Sequence, residues 1–466
     1  MAKSKLLTAI QSLSKEEVNA TRTKIKHQYL PKRKDIQSLF EILLLSDKPI
    51  SKAVVWTKIY GKKTTFNDTK WRAIQMKLNT LLLEVIKESA LNHELIPLRN
   101  LIELKIFDQR KLNKHFDSSW SELEQIIQSP RHTDDYFILS KAYEIKQTKI
   151  LKEKAKAISF DALTLSNNFN ELYYACQKLK NICYTFSYQL NVQSTIPHQD
   201  IFLTQLKENS SSNHPLINQY LNVIFLYKKQ EGYNLEQCMT QFVEQHQAVH
   251  QEEALNILTL LMNYCIDFKI NKGEQAYFNH LFKLYQLGIE NSILIEQNQL
   301  NQMHYKNIVT VGLHTMNLDW TAAFIEKYTQ LLPKSAQANA YNFNLAKVLF
   351  KQEKYDKVVE LLSEVEYSNI QYQLSSKLML IKTYYELDED QALEALMESF
   401  RLLLVRNNKI SKDFKTQYLN LLKYLKKLVY LNPYNTDEKK QLLDDVNSNN
   451  ELADKQWIIG KLKEKA

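Results

Sequence analysis

Three residue pairs towards the C-terminal end of the chain, Asp319-Trp320, Lys354-Tyr355 and Glu389-Asp390, echo one another every 35 residues. Each pair ends one stretch of helical apolar periodicity and precedes a second, at Ala323-Phe324-Ile325, Val358-Val359-Glu360 and Leu393-Glu394-Ala395. A helical hairpin repeated at such a period cannot bury its apolar face alone, so it stacks on the copies before and after it. The pattern predicts an α-solenoid of antiparallel helical hairpins. Arrays of that kind hold partners along extended surfaces and seldom carry out chemistry, so the expected role is an interaction scaffold.

Scarcity of glycine and proline points the same way, with only 6 Gly and 8 Pro in 466 residues. Glycine supplies the positive-φ positions of tight hairpins and phosphate loops, and proline punctuates turns. A chain this poor in both predicts an all-α fold of helices joined by short polar turns. Neither Gly-x-Gly-x-x-Gly, a P-loop nor Gly-x-Ser-x-Gly occurs. The four cysteines, Cys176, Cys183, Cys238 and Cys265, form no CxxC pair. Cys176 and Cys183 share an apolar helix face and read as small buried hydrophobes of a reducing compartment. The N-terminal MAKSKLLTAIQSLSKEE turns polar before a signal-peptide core builds up. No apolar run approaches the roughly 18 residues a membrane span needs. The expected location is cytoplasmic.

Charge divides the chain unevenly. Residues 1–90 hold 18 Lys/Arg against 8 Asp/Glu, a balance of +10, whereas the whole chain carries +9. The remainder is therefore near −1, and residues 1–90 read as a basic helical module with its own electrostatics. Within it, Leu6, Leu7, Ile10 and Leu13 predict a first helix, and Ser14 with Glu17 a capping box for a second. Asp35 is placed to cap the helix of Ile36, Leu39 and Phe40, and Lys48-Pro49 breaks the chain again. Ser51 caps Lys52–Tyr60, which Gly61 ends. Asn67 or Asp68 opens a long helix whose Trp71, Ile74, Leu78, Leu81, Leu82 and Val85 share one face. Residues 91–303 predict an irregular helical-hairpin array with a loop at Asn209–His214, and residues 304–407 the regular repeats. Residues 408–466 predict a helical cap. There Leu442, Leu443, Val446, Trp457, Ile458 and Ile459 cover the last apolar face, while Lys461, Lys463 and Lys465 face water.

In the best repeat copy, Leu345, Ala346, Leu349, Val358, Leu362 and Val365 are followed or separated by the turn Lys351-Gln352-Glu353-Lys354-Tyr355-Asp356. This resembles tetratricopeptide repeats (TPR), which fill those positions with Leu, Gly/Ala, Tyr, Ala, an aromatic and Ala. The copy departs from that pattern with Asn342 at the usual Trp, Val358 at the small Ala and Ile370 where Pro is common. Gly312, Ala323 and Pro333 lie near the small-residue and Pro positions of a flanking copy. The resemblance implies a TPR-like groove lined by the first helices of successive repeats, with Phe343, Lys347 and Phe350 on its inner face and another protein as the partner. The layout also resembles uncharacterised bacterial proteins in which a small helical module precedes a degenerate repeat array. No activity follows from that likeness.

Chemical motifs are sparse. His246 and His250 form HQAVH, but the residue after the first His is Gln247 where a zincin has Glu. Glu16-Glu17, Asp134-Asp135 and Glu252-Glu253 sit where helix starts favour negative charge. The expectation is a chain that is not an enzyme, with no cofactor and no metal. The sharpest hint is basic: Lys32, Arg33, Lys34, Lys62, Lys63, Lys70, Arg72 and Lys77. They read as a solvated surface, as a phosphate-neutralising patch for nucleic acid, or as a surface for an acidic protein. Ile50–Gly61 followed by the long helix with Arg72, Leu78 and Leu82 faintly resembles the winged helix of bacterial response regulators and activators. Its β-hairpin wing would follow Ile86, where Lys87–Pro97 has a helical pattern. The alternative function is thus a nucleic-acid-binding regulator whose repeat array acts as sensor or partner-binding domain.

Overall fold

The computed structural model describes residues 5–46, 51–93, 95–127, 132–152, 160–188, 196–208, 214–296, 298–363, 370–407, 410–432 and 434–464. The protein is all-α. Among the described residues there are 23 α-helices and one two-residue hairpin, in which Ile295–Glu296 (β1) runs antiparallel to Gln299–Leu300 (β2) and Ile295 faces Leu300. The chain divides into two compact units, Met1–Thr185 with Gln193–Leu221, and Phe186–Val192 with Asn222–Ala466. The sequence-based divisions near 90, 303 and 407 all fall inside these units. Lys48-Pro49, residues 209–213 of the expected loop, and Lys465 lie outside the described residues.

The first unit opens with α1 (Lys5–Gln11), α2 (Lys15–Tyr29), α3 (Lys34–Leu44), α4 (Lys52–Tyr60) and α5 (Asp68–His93). Their apolar residues, from Leu6 to Val85, form one hydrophobic cluster. All six residues on the apolar face of α5 are buried in it. Local signals behave as the sequence indicates. Glu17 N donates to Ser14 Oγ at 3.1 Å while Ser14 N donates to the Glu17 carboxylate at 2.8 Å. Val54 N donates to Ser51 Oγ, Lys70 N donates to Asn67 Oδ1 at 2.8 Å, and Gly61 closes α4 at φ 87°. Asp35 departs from expectation: it lies inside the first turn of α3, not at its cap. The winged-helix likeness also fails at the wing. Helix α5 runs on to His93 and α6 (Ile96–Gln109) follows, so the segment after Ile86 is helical.

Next come α7 (Asn113–Ile126), α8 (Thr133–Lys152), α9 (Phe160–Tyr188), α10 (Gln199–Glu208) and α11 (Pro215–Tyr227). The division between units falls within α9 and α11. Helices α6 to α8 close around Leu104, Phe116, Trp120 and Leu139. Cys176 and Cys183 are fully buried on α9, as their spacing indicates. Burial pushes the thiols of Cys183, Cys265 and Cys238 up, the last two to about 12 and about 11, so all three are held as unreactive thiols.

The second unit holds α12 (Leu235–Gln245), α13 (Gln251–Asn263), α14 (Tyr277–Glu290), α15 (Gln302–His314), α16 (Leu318–Tyr328), α17 (Lys334–Lys351), α18 (Tyr355–Ser363), α19 (Ile370–Glu386), α20 (Asp390–Arg406), α21 (Lys412–Val429), α22 (Thr436–Ser448) and α23 (Lys455–Glu464). From α15 to α21 each helix packs on its chain neighbours, and α17 also packs on α15 and α19. The echoing pairs stand at the starts of α16, α18 and α20. Their three preceding turns share one geometry. Met316, Glu353 and Asp388 are left-handed at φ 57°, 60° and 56°. The next residue's N–H returns to the carbonyl five positions back: Asn317 to Gly312, Lys354 to Leu349 and Glu389 to Tyr384, at 3.0, 2.9 and 3.0 Å. This is a Schellman ending built without glycine. Holding an L-residue there costs about 1 kcal/mol. Glu353→Gly is therefore expected to raise unfolding stability by about 0.5–1 kcal/mol, and Lys351→Gly, two residues earlier at the end of α17, to lower it by about 1 kcal/mol. Paired urea titrations decide it; a loss of stability in Glu353→Gly contradicts the turn.

Gly312 has a packing reason. A Cβ there would run into the Thr321 hydroxyl and lie 3.2 Å from its Cβ, so α15 and α16 meet at this point only through a bare backbone. At the end of the chain Leu442, Val446 and Ile458 are buried against Phe400, Leu425 and Leu428, with Leu443, Trp457 and Ile459 packed partly over them. One expectation is corrected here. Lys461 does not face water: its Nζ pairs with Glu386 at 2.8 Å and Glu464 at 2.6 Å, with 17% of its side chain exposed. The apolar surround is met by two carboxylates, which hold the ammonium charged.

Candidate functional site

Helices α15, α17 and α19 and the start of α23 enclose a groove of about 810 Å³ in the second unit. Helix α17 offers it one continuous face. Ala336, Ala340, Phe343, Lys347 and Phe350 recur at three- and four-residue steps along that face. The three residues placed on the inner face by sequence, Phe343, Lys347 and Phe350, are thus brought together in one groove. Phe343 also belongs to the hydrophobic cluster beneath, with Ala346, Val358 and Leu362, and is 8% exposed. It is a floor residue rather than a projecting one.

Lys347 is the unusual group. Its Nζ lies 4.4 Å from the Phe343 ring centroid and 3.5 Å from Asn344 Oδ1, a contact at the limit of a hydrogen bond. Among the described residues no carboxylate pairs with it. Asn344 is itself buried and donates to Ala340 O at 2.8 Å, which fixes its oxygen towards the lysine. Burial, with Lys306 adding repulsion, pulls the Lys347 ammonium down from its ordinary value to about 8. The contrast with Lys461 is instructive: two half-buried lysines in one unit, one met by two carboxylates and one by none.

The other charges around the groove are Lys306, Lys351, Lys382 and Asp454. Asp454 is already committed, since its carboxylate pairs with Lys382, whose Nζ also lies 5.3 Å from the Trp457 ring. What remains facing the groove is positive. Sequence reasoning missed Lys306, Lys382 and Trp457. The first two sit on α15 and α19, and Lys382 lies 35 residues beyond Lys347, one repeat on. That spacing was the available signal.

The eight basic candidates lie elsewhere, in the first unit. Lys32, Lys34, Lys62, Lys63, Lys70, Arg72 and Lys77 are exposed and Arg33 is half-buried. Arg33 is paired with Asp35 at 2.9 Å and Arg72 with Asp68 at 2.7 Å. In the second unit, His246 Nδ1 donates to the carbonyls of Val243 and Phe242, closing α12, and His250 accepts from Glu252 N at the start of α13. The HQAVH spacing is therefore split between a helix end and a helix start. The carboxylate pairs Glu16-Glu17, Asp134-Asp135 and Glu252-Glu253 all occupy first turns. No described helix is long and apolar enough to cross a membrane. Compared with known proteins, the chain matches no family model, no curated protein and no solved structure.

Proposed function

We propose that this chain is a non-catalytic scaffold whose second unit holds an acidic segment of another protein in the α15–α17–α19 groove. The observation that carries the reading is Lys347, a half-buried ammonium with no carboxylate beside it. Burying a charge without a partner is costly unless something supplies the partner. Here Lys306 and Lys351 add positive charge that no described carboxylate meets, so the missing partner is an anion from outside. Three helices packed at about 8–10 Å spacing give a groove of about 20 Å, the length of roughly six extended residues. Packing of each helix on its chain neighbours, with α17 also touching α15 and α19, supports the reading of these hairpins as a TPR-like array.

An amine with a lowered pKa is also the form in which lysines attack carbonyl groups. That use needs an acid or base within reach of Nζ, and the near groups are an amide, a phenyl ring and another lysine. Anion binding asks for none. The test is fluorescence anisotropy of labelled hexaglutamate and hexaglutamine with the full chain. Binding of the first, its weakening by Lys306→Met and Lys351→Met, and indifference to the second are expected. Equal binding of both peptides, or none, contradicts the reading.

A further inference from the structure

The fold gathers most of the eight basic residues round Tyr60. The Tyr60 hydroxyl donates to Asp35 Oδ2 at 2.7 Å, and Asp35 accepts Arg33 through both its oxygens at 2.9 and 3.1 Å. Lys70 Nζ lies 3.9 Å from the centroid of the Tyr60 ring. These contacts pin the start of α3, the end of α4 and the start of α5 to one another. Lys32, Arg33 and Lys34 flank the first, Lys62 and Lys63 follow the second, and Lys70 and Arg72 ride on the third. Seven cations meet at one end of the α1–α5 bundle. The carboxylates among them, Asp35 and Asp68, are each already paired with an arginine.

The loop between α4 and α5 completes the surface. Every residue from Gly61 to Asn67 is exposed. The loop is nevertheless held in shape: Trp56 Nε1 donates to Thr64 O at 3.2 Å, and Phe66 stands edge-on to Trp56 at 5.2 Å. Phe66 is 44% exposed, so an aromatic ring is presented beside Lys62 and Lys63. We infer that this Tyr60-centred end of the first unit binds the phosphate backbone of a nucleic acid without reading its sequence. A nucleic acid offers closely spaced negative charge together with ring faces, whereas an acidic peptide offers only the charge. The anchoring contacts fix where the cations stand before any partner arrives, which lowers the ordering cost of binding.

The test is anisotropy of the full chain with a labelled 20-base-pair DNA duplex, a 20-nucleotide RNA strand and a glutamate 20-mer, each across a series of KCl concentrations. Binding to nucleic acid is expected to fall linearly in log–log form with a slope of about −4 or steeper for the duplex. Lys62→Ala/Lys63→Ala/Lys70→Ala is expected to flatten that slope by about 2.7 and to weaken binding on the order of 10²-fold at 100 mM salt. Its helical circular dichroism should match wild type, since all three side chains are exposed. The tighter of the two nucleic-acid arms assigns duplex or single strand as the source of the phosphates. Lys347→Met should leave the slopes of both nucleic acids where they were. The inference is overturned if neither nucleic acid binds at low salt, if the triple variant keeps the wild-type slope, or if the triple variant weakens the glutamate 20-mer as much as it weakens the nucleic acids.

Discussion

Lys347→Met is expected to make the folded chain more stable and to remove its affinity for acidic peptides. The lysine is held at about 8 in the fold against an ordinary value of 10.5, so between those pH values the unfolded chain binds the extra proton. Stability conferred by the wild-type side chain therefore rises as pH goes from about 8 to about 10.5, and the full penalty applies at pH 7. That penalty is on the order of 2–3 kcal/mol. Methionine keeps the stem and its packing on Phe343 while discarding the charge. The variant should gain about 1–3 kcal/mol at pH 7, little at pH 10.5, and several degrees in Tm. Affinity for hexaglutamate should fall about 10- to 100-fold, the loss of one charge-assisted contact. Urea titrations at pH 7 and 10 check the first half; a Met variant less stable than wild type at pH 7 contradicts it.

The second large effect lies in the other unit. Trp71→Ala is expected to cost about 3–5 kcal/mol, since the ring is fully buried at the centre of the α1–α5 cluster. Because that cluster draws all its buried residues from positions 6 to 85, the loss should be local. Hydrogen exchange should show protection in α1–α5 falling by about 10²- to 10³-fold, while amides of α17 to α21 keep theirs. Uniform loss across both units would show that the α1–α5 cluster does not hold its own stability. The same variant should abolish salt-dependent nucleic-acid binding at the Tyr60 end without touching the Lys347 groove.

Much of the local structure was legible because its causes are local. Ser14 and Glu17 sit three apart, and that spacing alone sets the capping box. The α5 stripe from Trp71 to Val85 repeats at helical steps, and every member is buried. The pairs at 319, 354 and 389 mark three helix starts, since the turns before them repeat in spacing and in backbone geometry. Scarcity of glycine argues against β-hairpins and phosphate loops, and the fold is all-α, yet helix-ending turns still take positive φ at Met316, Glu353, Asp388, Lys111 and Lys229. Packing on both sides of these turns overrides the local preference.

What the sequence hid is non-local. Lys461 looked like a solvated terminal lysine, because Glu386 lies 75 residues away and only the packing of α23 against α19 joins them. The eight basic residues looked equivalent, because nothing in sequence ties Asp35 to Tyr60 and Tyr60 to Lys70. For the groove, periodicity placed Phe343, Lys347 and Phe350 on one face, but not the absence of a carboxylate beside Lys347. Among the described residues that absence depends on what α15, α19 and α23 bring, and the proposed anion binding rests on it.

The most direct measurement is the titration of Lys347 itself, followed by NMR of ε-¹³C-lysine-labelled protein with and without hexaglutamate. One lysine resonance, missing from Lys347→Met, is expected to titrate near 8 in the free protein and to move up by a unit or more when the peptide saturates the groove. A Lys347 resonance at the ordinary lysine value, or one near 8 that saturating peptide leaves in place, contradicts an anion-holding groove.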